Sequence, residues 1–432
     1  MQYFSTNDNS PLVSFKQATI NGQAPDKGLY FPEAIPLLPS GFIKNIESFS
    51  NEAIAYEVIK PYAITSVPEN VLKNIVEETV NFSIPLVPIN DNISSLELFH
   101  GPTLAFKDIG ARFMSRCLGH FVKDQPKKVT VLVATSGDTG GAVANGFYDV
   151  PNVEVIILYP SGKVSTVQEK QLTTLGKNIH ALEVKGSFDD CQQMVKDIFA
   201  SAADFENLFL TSANSINVAR WLPQQFYYFF AYKQWKEKDN PPVVSVPSGN
   251  FGNICAGILA NASGLPVKHF IAACNANNVV PEFFETNFYV PKKAVATISN
   301  AMDVGNPSNF VRILEIFDQQ IDEMKKLVSS VSVSDDETKA TLKKVYGETG
   351  YLLDPHGAVG YHALENYLLQ HPREKGYVVE TAHPVKFFDV VEPIIGKPIV
   401  IPENVQEQLK LEKKAQLMEN NAEALRDFLM KI

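Results

Sequence analysis

The sequence predicts an α/β protein built on parallel sheets, and three observations predict it. From about residue 129, short and almost wholly apolar runs alternate with longer small-residue or amphipathic stretches. The apolar runs leave no polar face, so their sheets are covered on both sides. Short turns rich in Gly, Ser and Asn join one kind of segment to the other.

In chain order, the first 90 or so residues look different from the rest. They hold "VSFKQATINGQAPDKGLYFPE" and helical stretches such as "NVLKNIVEETV", and predict a separate N-terminal region. "VTVLVA" is then a strand, and "TSGDTGGAVANGF" turns into a small-residue helix. "VEVIILYP" and "IHALEVKG" are strands, and "SFDDCQQMVKDIFASA" has helical spacing. "NLFLTSAN" is a strand. "INVARWLPQQFYYFFAYKQW" is a long helix that must bend near Pro223, because proline removes a backbone donor. "KEKDNPPVV" is the best linker or turn candidate. "VVSVPSG" is a strand, "NFGNICAGILANASG" a helix ending at Gly264, and "HFIAAC" another strand. The last 25 residues, "QLKLEKKAQLMENNAEALRDFLMKI", predict a charged amphipathic helix, continuous or broken, of a peripheral packing kind. No internal repeat or low-complexity tract is present.

The composition excludes several classes. The 432 residues are 45% hydrophobic and 20% charged, an ordinary globular balance. A formal net charge of -10 argues against nucleic acid as a partner, since that binding needs concentrated Lys and Arg. Cys117, Cys191, Cys255 and Cys274 form no CxxC pair and no zinc-ligand spacing; they read as buried reduced thiols of a cytoplasmic protein, and no metal is expected. The start "MQYFSTNDNS" is neither basic nor followed by an apolar run, so no secretory signal is expected. No run approaches the roughly 18 apolar residues of a membrane span, so no membrane partner is expected.

Two strand-to-helix junctions are glycine-rich: "TSGDTGGA", residues 135–142, and "PSGNFGNICAG", residues 247–257. A helix N-terminus exposes free N–H groups and partial positive charge, so each is a candidate cradle for a phosphate or carboxylate. The plainer reading is a tight turn capped by Ser, Asp or Asn. Neither loop fits GxxxxGK[ST] or GxGxxG. Both fall where the binding site of an open α/β sheet lies, at the carboxyl ends of strands.

"HGPTLAFKDIG", residues 100–110, sets Lys107 after a small, mostly apolar run. The plain reading is a lysine whose stem covers apolar surface. A desolvated lysine also has a lowered pKa and becomes a nucleophilic amine that condenses with carbonyl compounds. Joined to a phosphate cradle, that chemistry points to pyridoxal 5'-phosphate.

"FHGPTLAFKDIGARFM", "ATSGDTGGAVA", "VPSGNFGNICAG", "SNAMDVGNPSN" and "ETAHPVKF" together resemble the threonine synthase family, within the tryptophan-synthase-β-like, fold-type II pyridoxal-phosphate enzymes. The resemblance runs from near residue 12 to about residue 390. It implies two parallel-sheet-containing domains with an additional N-terminal region: 1–92 as that region, 93–235 as a smaller domain with the Schiff-base lysine and substrate loop, and 236–432 as a larger domain with the cofactor-phosphate loop. Lys27 stands where the family has a glycine, an exchange expected to be neutral.

By the same resemblance, Lys107 is the Schiff-base lysine and the principal proton carrier. Gly249, Asn250, Phe251, Gly252 and Asn253 form the cofactor-phosphate loop, with Asn253 often Asp in relatives. Thr381 is the hydroxyl partner of the pyridine nitrogen. Ser136, Gly137, Asp138 and Thr139 receive the substrate carboxylate. Asp138 departs from the Asn of the wider superfamily, and a carboxylate facing a phenolate oxygen is costly, so its contact stays open. The implied reaction turns O-phospho-L-homoserine and water into L-threonine and phosphate, a lyase-type β,γ-elimination and replacement. The substrate phosphate needs a second anion site, for which Lys163, Ser161, Asn217 and Arg220 are candidates. His100 and His356 read as structural hydrogen-bonders, and Asp303 and Asn306 receive no role. Three alternatives remain: a phospho-lyase giving 2-oxobutyrate from the same substrate, a dehydratase or cysteine-synthase-like enzyme, and a non-catalytic binding protein of the same fold. Monomer and dimer are both compatible with the sequence.

Overall fold

In a computed structural model, residues 1–123, 127–201, 205 and 208–431 are described. Fourteen strands lie among them: β1 Gln2–Ser5, β2 Val13–Ser14, β3 Tyr30–Pro32, β4 Leu86–Pro88, β5 Ile93–Glu97, β6 Val129–Ala134, β7 Val153–Pro160, β8 Ile179–Val184, β9 Phe209–Ser212, β10 Val243–Pro247, β11 His269–Cys274, β12 Val328–Ser332, β13 Gly376–Glu380 and β14 Ala415–Met418.

They form three sheets. The five-stranded sheet has the order β14-β8-β7-β6-β9 and is wholly parallel. The six-stranded sheet has the order β12-β11-β10-β13-β5-β4 and is parallel except for β4, which runs against β5. The small N-terminal sheet β2-β1-β3 is antiparallel. Every residue of β6, β10 and β13 is buried, as expected of strands covered on both faces.

Sheet membership crosses the expected domain limits. β5, within 93–235, pairs in register with β13 (Glu97 opposite Glu380) and so belongs to the six-stranded sheet. β14, within 236–432, pairs with β8 of the other sheet. The C-terminal 25 residues are therefore not one amphipathic helix. The helix Glu403–Lys410 ends, β14 follows, and the helix Ala422–Leu429 packs its Leu425 and Leu429 into the cluster that holds Leu182 and Val184 of β8. Parallel pairing with a distant edge strand overrides the local helical bias.

The N-terminal region has its own sheet but no core of its own. Tyr3, Phe15 and Tyr30 join one apolar cluster with Phe113, Trp221 and Tyr228. Arg312, wholly buried, ties it further, donating to the Tyr30 carbonyl at 2.9 Å with its guanidinium 4.4 Å from the Trp221 ring centroid. Lys27 is exposed and sits at φ 69°, the left-handed conformation that favours glycine. The exchange from the family glycine thus carries a backbone cost and is not neutral.

The bend near Pro223 is a 3-10 turn, Leu222–Gln224, between the helices Val218–Trp221 and Gln225–Gln234. Arg220 precedes that bend and Tyr227 follows it; the charge of Arg220 is felt at Lys107, and Tyr227 bonds to the residue before Lys107.

Candidate active site

The arm 98–106 leaves the end of β5 and continues the pairing with the end of β13. Leu98 N–H donates to Glu380 O at 3.0 Å, Phe106 N–H to Thr381 O at 2.8 Å, and His383 N–H to Leu104 O at 3.0 Å, with Ala105 bridging Ala382. This zip fixes Lys107, the first residue of the helix Lys107–Val122, beside Thr381. The turn is closed by Asp108, which accepts from Thr103 N–H at 2.9 Å and from the Thr103 hydroxyl at 2.5 Å. A Cβ on Gly101 would lie 2.4 Å from Asp108 Oδ2, so the close turn requires a glycine there. The Tyr227 hydroxyl donates to Phe106 O.

Lys107 Nζ lies 5.5 Å from the Phe106 ring centroid and has neither an ion-pair nor a hydrogen-bond partner among the described residues. Burial lowers its pKa; Asp138 opposes the shift, and the cations Lys386 and Arg220 add to it. With no ion pair to break and a lowered pKa, Lys107 is biased towards the neutral amine that attacks a carbonyl.

The loop after β6 opens the helix Asp138–Phe147. The Thr135 hydroxyl accepts from Gly137 N–H and Gly140 N–H, both at 2.9 Å, which pins the loop. Gly137 has φ 139°, and a Cβ there would lie 2.4 Å from Gln168. The open question about Asp138 has an answer in this structure. Its Oδ1 accepts from Gln168 Nε2 at 2.9 Å and pairs with Lys386 Nζ at 2.7 Å. Burial works against the carboxylate, but Lys386, then Lys107, hold its pKa well below the usual range.

The loop after β10 opens the helix Gly252–Ala262. Phe251, the residue before it, is left-handed at φ 60°, which turns the chain sharply. Gly249 packs on backbone; a Cβ there would lie 2.7 Å from Met302 Cα. Asn250 braces the loop from outside, accepting from Ser308 N–H at 2.7 Å and donating to the Ser215 hydroxyl at 2.6 Å. The Asn253 side chain faces inward, where Oδ1 accepts from Tyr228 at 2.7 Å and the buried Nδ2 has no partner among the described residues. What Gly252 and Asn253 offer the loop is backbone N–H at a helix start. Thr381 follows β13 directly and is buried.

The remaining expected residues divide. Arg220 is buried, not on the surface. It donates to Ala213 O at 2.8 Å, and its Nε has no partner among the described residues. A Cβ on Gly110, on the Lys107 helix, would meet Arg220 Nε at 3.2 Å. Asn217 is fully committed: it donates to Thr19 O at 2.9 Å and caps its own helix through Ala219 N–H at 3.0 Å, so it has no free group for a substrate. Ser161 is spent on Glu183 at 2.7 Å. Lys163 is exposed; its charge lowers the pKa of Asp190 and is not among those felt at Lys107. His100 pairs with Glu97 at 2.7 Å, and His356 with the buried Asp354 at 2.5 Å, both as structural partners. Asp303 accepts from Thr297 at 2.7 Å and Asn306 from Tyr289 at 3.0 Å. All four cysteines are buried and free, and no metal-binding group of His, Cys, Asp or Glu occurs among the described residues.

Sequence reading missed Lys386, Gln168 and Thr103. The signal for Lys386 was present: it stands in "HPVKFF", a cation in an apolar run, as Lys107 does.

Comparison with known proteins agrees with this geometry. A family model described as "Pyridoxal-phosphate dependent enzyme" matches residues 94–381, "Threonine synthase N terminus" matches 2–80, and "Threonine synthase, C-terminal" matches 357–429. A threonine synthase of Serratia marcescens is 43% identical over 431 residues, covering 100% of this chain and 99% of its own. The crystal structure of threonine synthase from Escherichia coli superposes with a TM-score of 0.93 at 42% identity, covering 100% of both chains. A threonine synthase structure from Brucella melitensis, described as PLP bound, gives 0.92 at 32% identity, covering 100% of this chain and 99% of its own.

Proposed function

The chain belongs to the threonine synthase family of pyridoxal-phosphate-dependent lyases, and from that membership we propose how its own residues convert O-phospho-L-homoserine and water to L-threonine and phosphate. The observation that carries the assignment is the unpaired amine of Lys107, held by the arm 98–106 next to Thr381.

The residues fit the cofactor. The Gly249–Asn253 loop has small residues, a left-handed turn and unspent N–H groups where a phosphate is received. Lys107 is unpaired, and its burial favours the neutral amine, the form in which a Schiff-base lysine condenses. Thr381 supplies a neutral hydroxyl for the ring nitrogen. When bound, pyridoxal phosphate supplies an electron sink for the charge left at the substrate Cα.

The chain's own work is then positioning and proton transfer. Lys107 Nζ takes the protons lost at Cα and Cβ and returns protons at Cγ and Cα. The phosphate leaves from Cγ, the hydroxyl of water is added at Cβ, and the remaining proton of that water goes to the released phosphate. Backbone N–H groups of the Ser136–Thr139 loop receive the substrate carboxylate. Of the four groups expected at the substrate phosphate, Arg220 is the one whose charge is felt at Lys107, and it adds positive potential to the site.

Full-length similarity to threonine synthases favours this reading over the phospho-lyase and the non-catalytic protein. No helix among the described residues is long and apolar enough to cross a membrane. Buried free thiols and a net charge of -10 accord with a cytoplasmic enzyme of threonine biosynthesis acting on a small molecule.

The test is product analysis with O-phospho-L-homoserine and added pyridoxal phosphate. Threonine and phosphate in equal amounts are expected. 2-Oxobutyrate with phosphate would move the chain to the lyase, and no phosphate release would remove the substrate.

A further inference from the structure

Lys386 has no exposed surface. A lysine is almost never wholly buried unless it is paired. Its ammonium has three N–H donors. One pairs with Asp138 Oδ1 at 2.7 Å, and one goes to Thr103 O at 2.8 Å. The same carbonyl accepts from Gln171 at 3.1 Å, and the same Thr103 anchors Asp108 through its N–H and hydroxyl. Lys386 is thus fixed between the turn that presents Lys107 and the loop that carries Asp138. It enters on the turn Pro384–Phe387, directly after the zip with the arm 98–106.

The charged groups facing Lys107 are Asp138 on its helix, Lys386 on that turn, and Arg220 on the helix Val218–Trp221. Those facing Lys386 are Asp138, Lys107, Asp108 and His383. One carboxylate, Asp138, therefore stands between two lysines, and the structure pairs it with only one of them.

We propose that Lys386 is a positioning residue: by taking Asp138 as its own ionic partner, it keeps Asp138 from pairing with Lys107 and leaves the Lys107 amine free for the cofactor. This rests on Lys107 being the cofactor-bearing lysine. Without Lys386, the lysine left near Asp138 among the described residues is Lys107, and one cation that repels a proton from Lys107 is gone. Both changes favour the charged amine, which does not attack an aldehyde.

The test follows the growth of visible absorbance when pyridoxal phosphate is added to the cofactor-stripped full chain, as a function of pH. Lys386→Met should raise the midpoint by about one pH unit or more, which slows incorporation about tenfold below both midpoints. The double variant Lys386→Met with Asp138→Asn removes the carboxylate as well, and its midpoint should return near that of the parent. A folded Lys386→Met with an unmoved midpoint overturns the proposal. Where the single variant does not fold, the double decides: a raised midpoint overturns the proposal, and so does failure of the double to fold, because Lys386 would then support the fold itself. Lys107→Ala, run alongside, separates the two readings. If it also forms the coloured adduct, the assignment of Lys107 fails whatever Lys386 does.

Discussion

The N–H of Phe106 donates to the carbonyl of Thr381 at 2.8 Å, so the residue before Lys107 is bonded to the residue proposed to offer its hydroxyl to the cofactor ring. These two positions are 275 residues apart in the chain, 381 less 106. The bond is made by backbone, and side-chain changes at either position leave it in place.

Thr381→Val tests the hydroxyl alone. Valine keeps the shape and the carbonyl that Phe106 uses. The loss of one hydrogen bond, about 1 kcal/mol, should weaken cofactor binding about fivefold. Equilibrium titration of the stripped chain with pyridoxal phosphate measures it, and unchanged affinity would separate Thr381 from the ring nitrogen.

Lys107→Met should lower turnover by about 10³-fold or more. It should also stabilise the cofactor-free chain. The folded-state pKa of Lys107 is lowered by burial, so below the unfolded value of about 10.4 the unfolded chain binds the proton more readily. That cost is present at neutral pH and fades as pH rises towards the unfolded value. Thermal melts should show the variant ahead at pH 7, with the gap closing towards pH 10. A variant less stable than its parent at both values would contradict this.

Glu380 is wholly buried beside the buried Asp354, whose N–H it accepts at 2.6 Å. Burial, then Asp354, push its pKa well up, so the fold favours its protonated form. Above about 4.3 the unfolded chain releases that proton more readily than the folded chain, so stability falls as pH rises up to the folded value. Glu380→Gln should remain within about 1 kcal/mol of the parent near pH 5. Its melting temperature should fall less between pH 5 and pH 8. Parallel pH profiles would show that Glu380 is ionised.

Lys27→Gly relieves a left-handed backbone at an exposed position. The steric relief of about 1–2 kcal/mol is partly offset by glycine's greater chain entropy. A net gain of up to about 1 kcal/mol in urea unfolding is expected, with activity unchanged. A loss of stability would mean that the Lys27 side chain holds this turn.

What was legible in the sequence was whatever the chain states locally. β6, β7 and β10 are apolar runs with no polar face, and their burial follows from that alone. Lys107 and the two glycine-rich loops are visible because each breaks an expected pattern. β14 was hidden because "AQLM" has no strand signal of its own; its partner β8 lies more than 200 residues earlier. Asn217 looked available because it is polar and stands in a motif, yet its amide is consumed by Thr19, 198 residues earlier. Lys386 was in view within "ETAHPVKF", but its importance lies in Asp138, and that pairing exists only once the two sheets are side by side.

The pairing of β14 with β8 also bears on synthesis. β8 ends at Val184 and its edge partner begins at Ala415, 231 residues later by subtraction. At roughly 5–20 residues per second, that edge waits on the order of 10–50 seconds on the ribosome before anything covers it. Neither sheet is encoded by one unbroken stretch: β5 is made before the five-stranded sheet, and β14 after the six-stranded one. A nascent chain halted before residue 415 would carry an open parallel edge, the kind of surface that chaperones and other nascent chains engage.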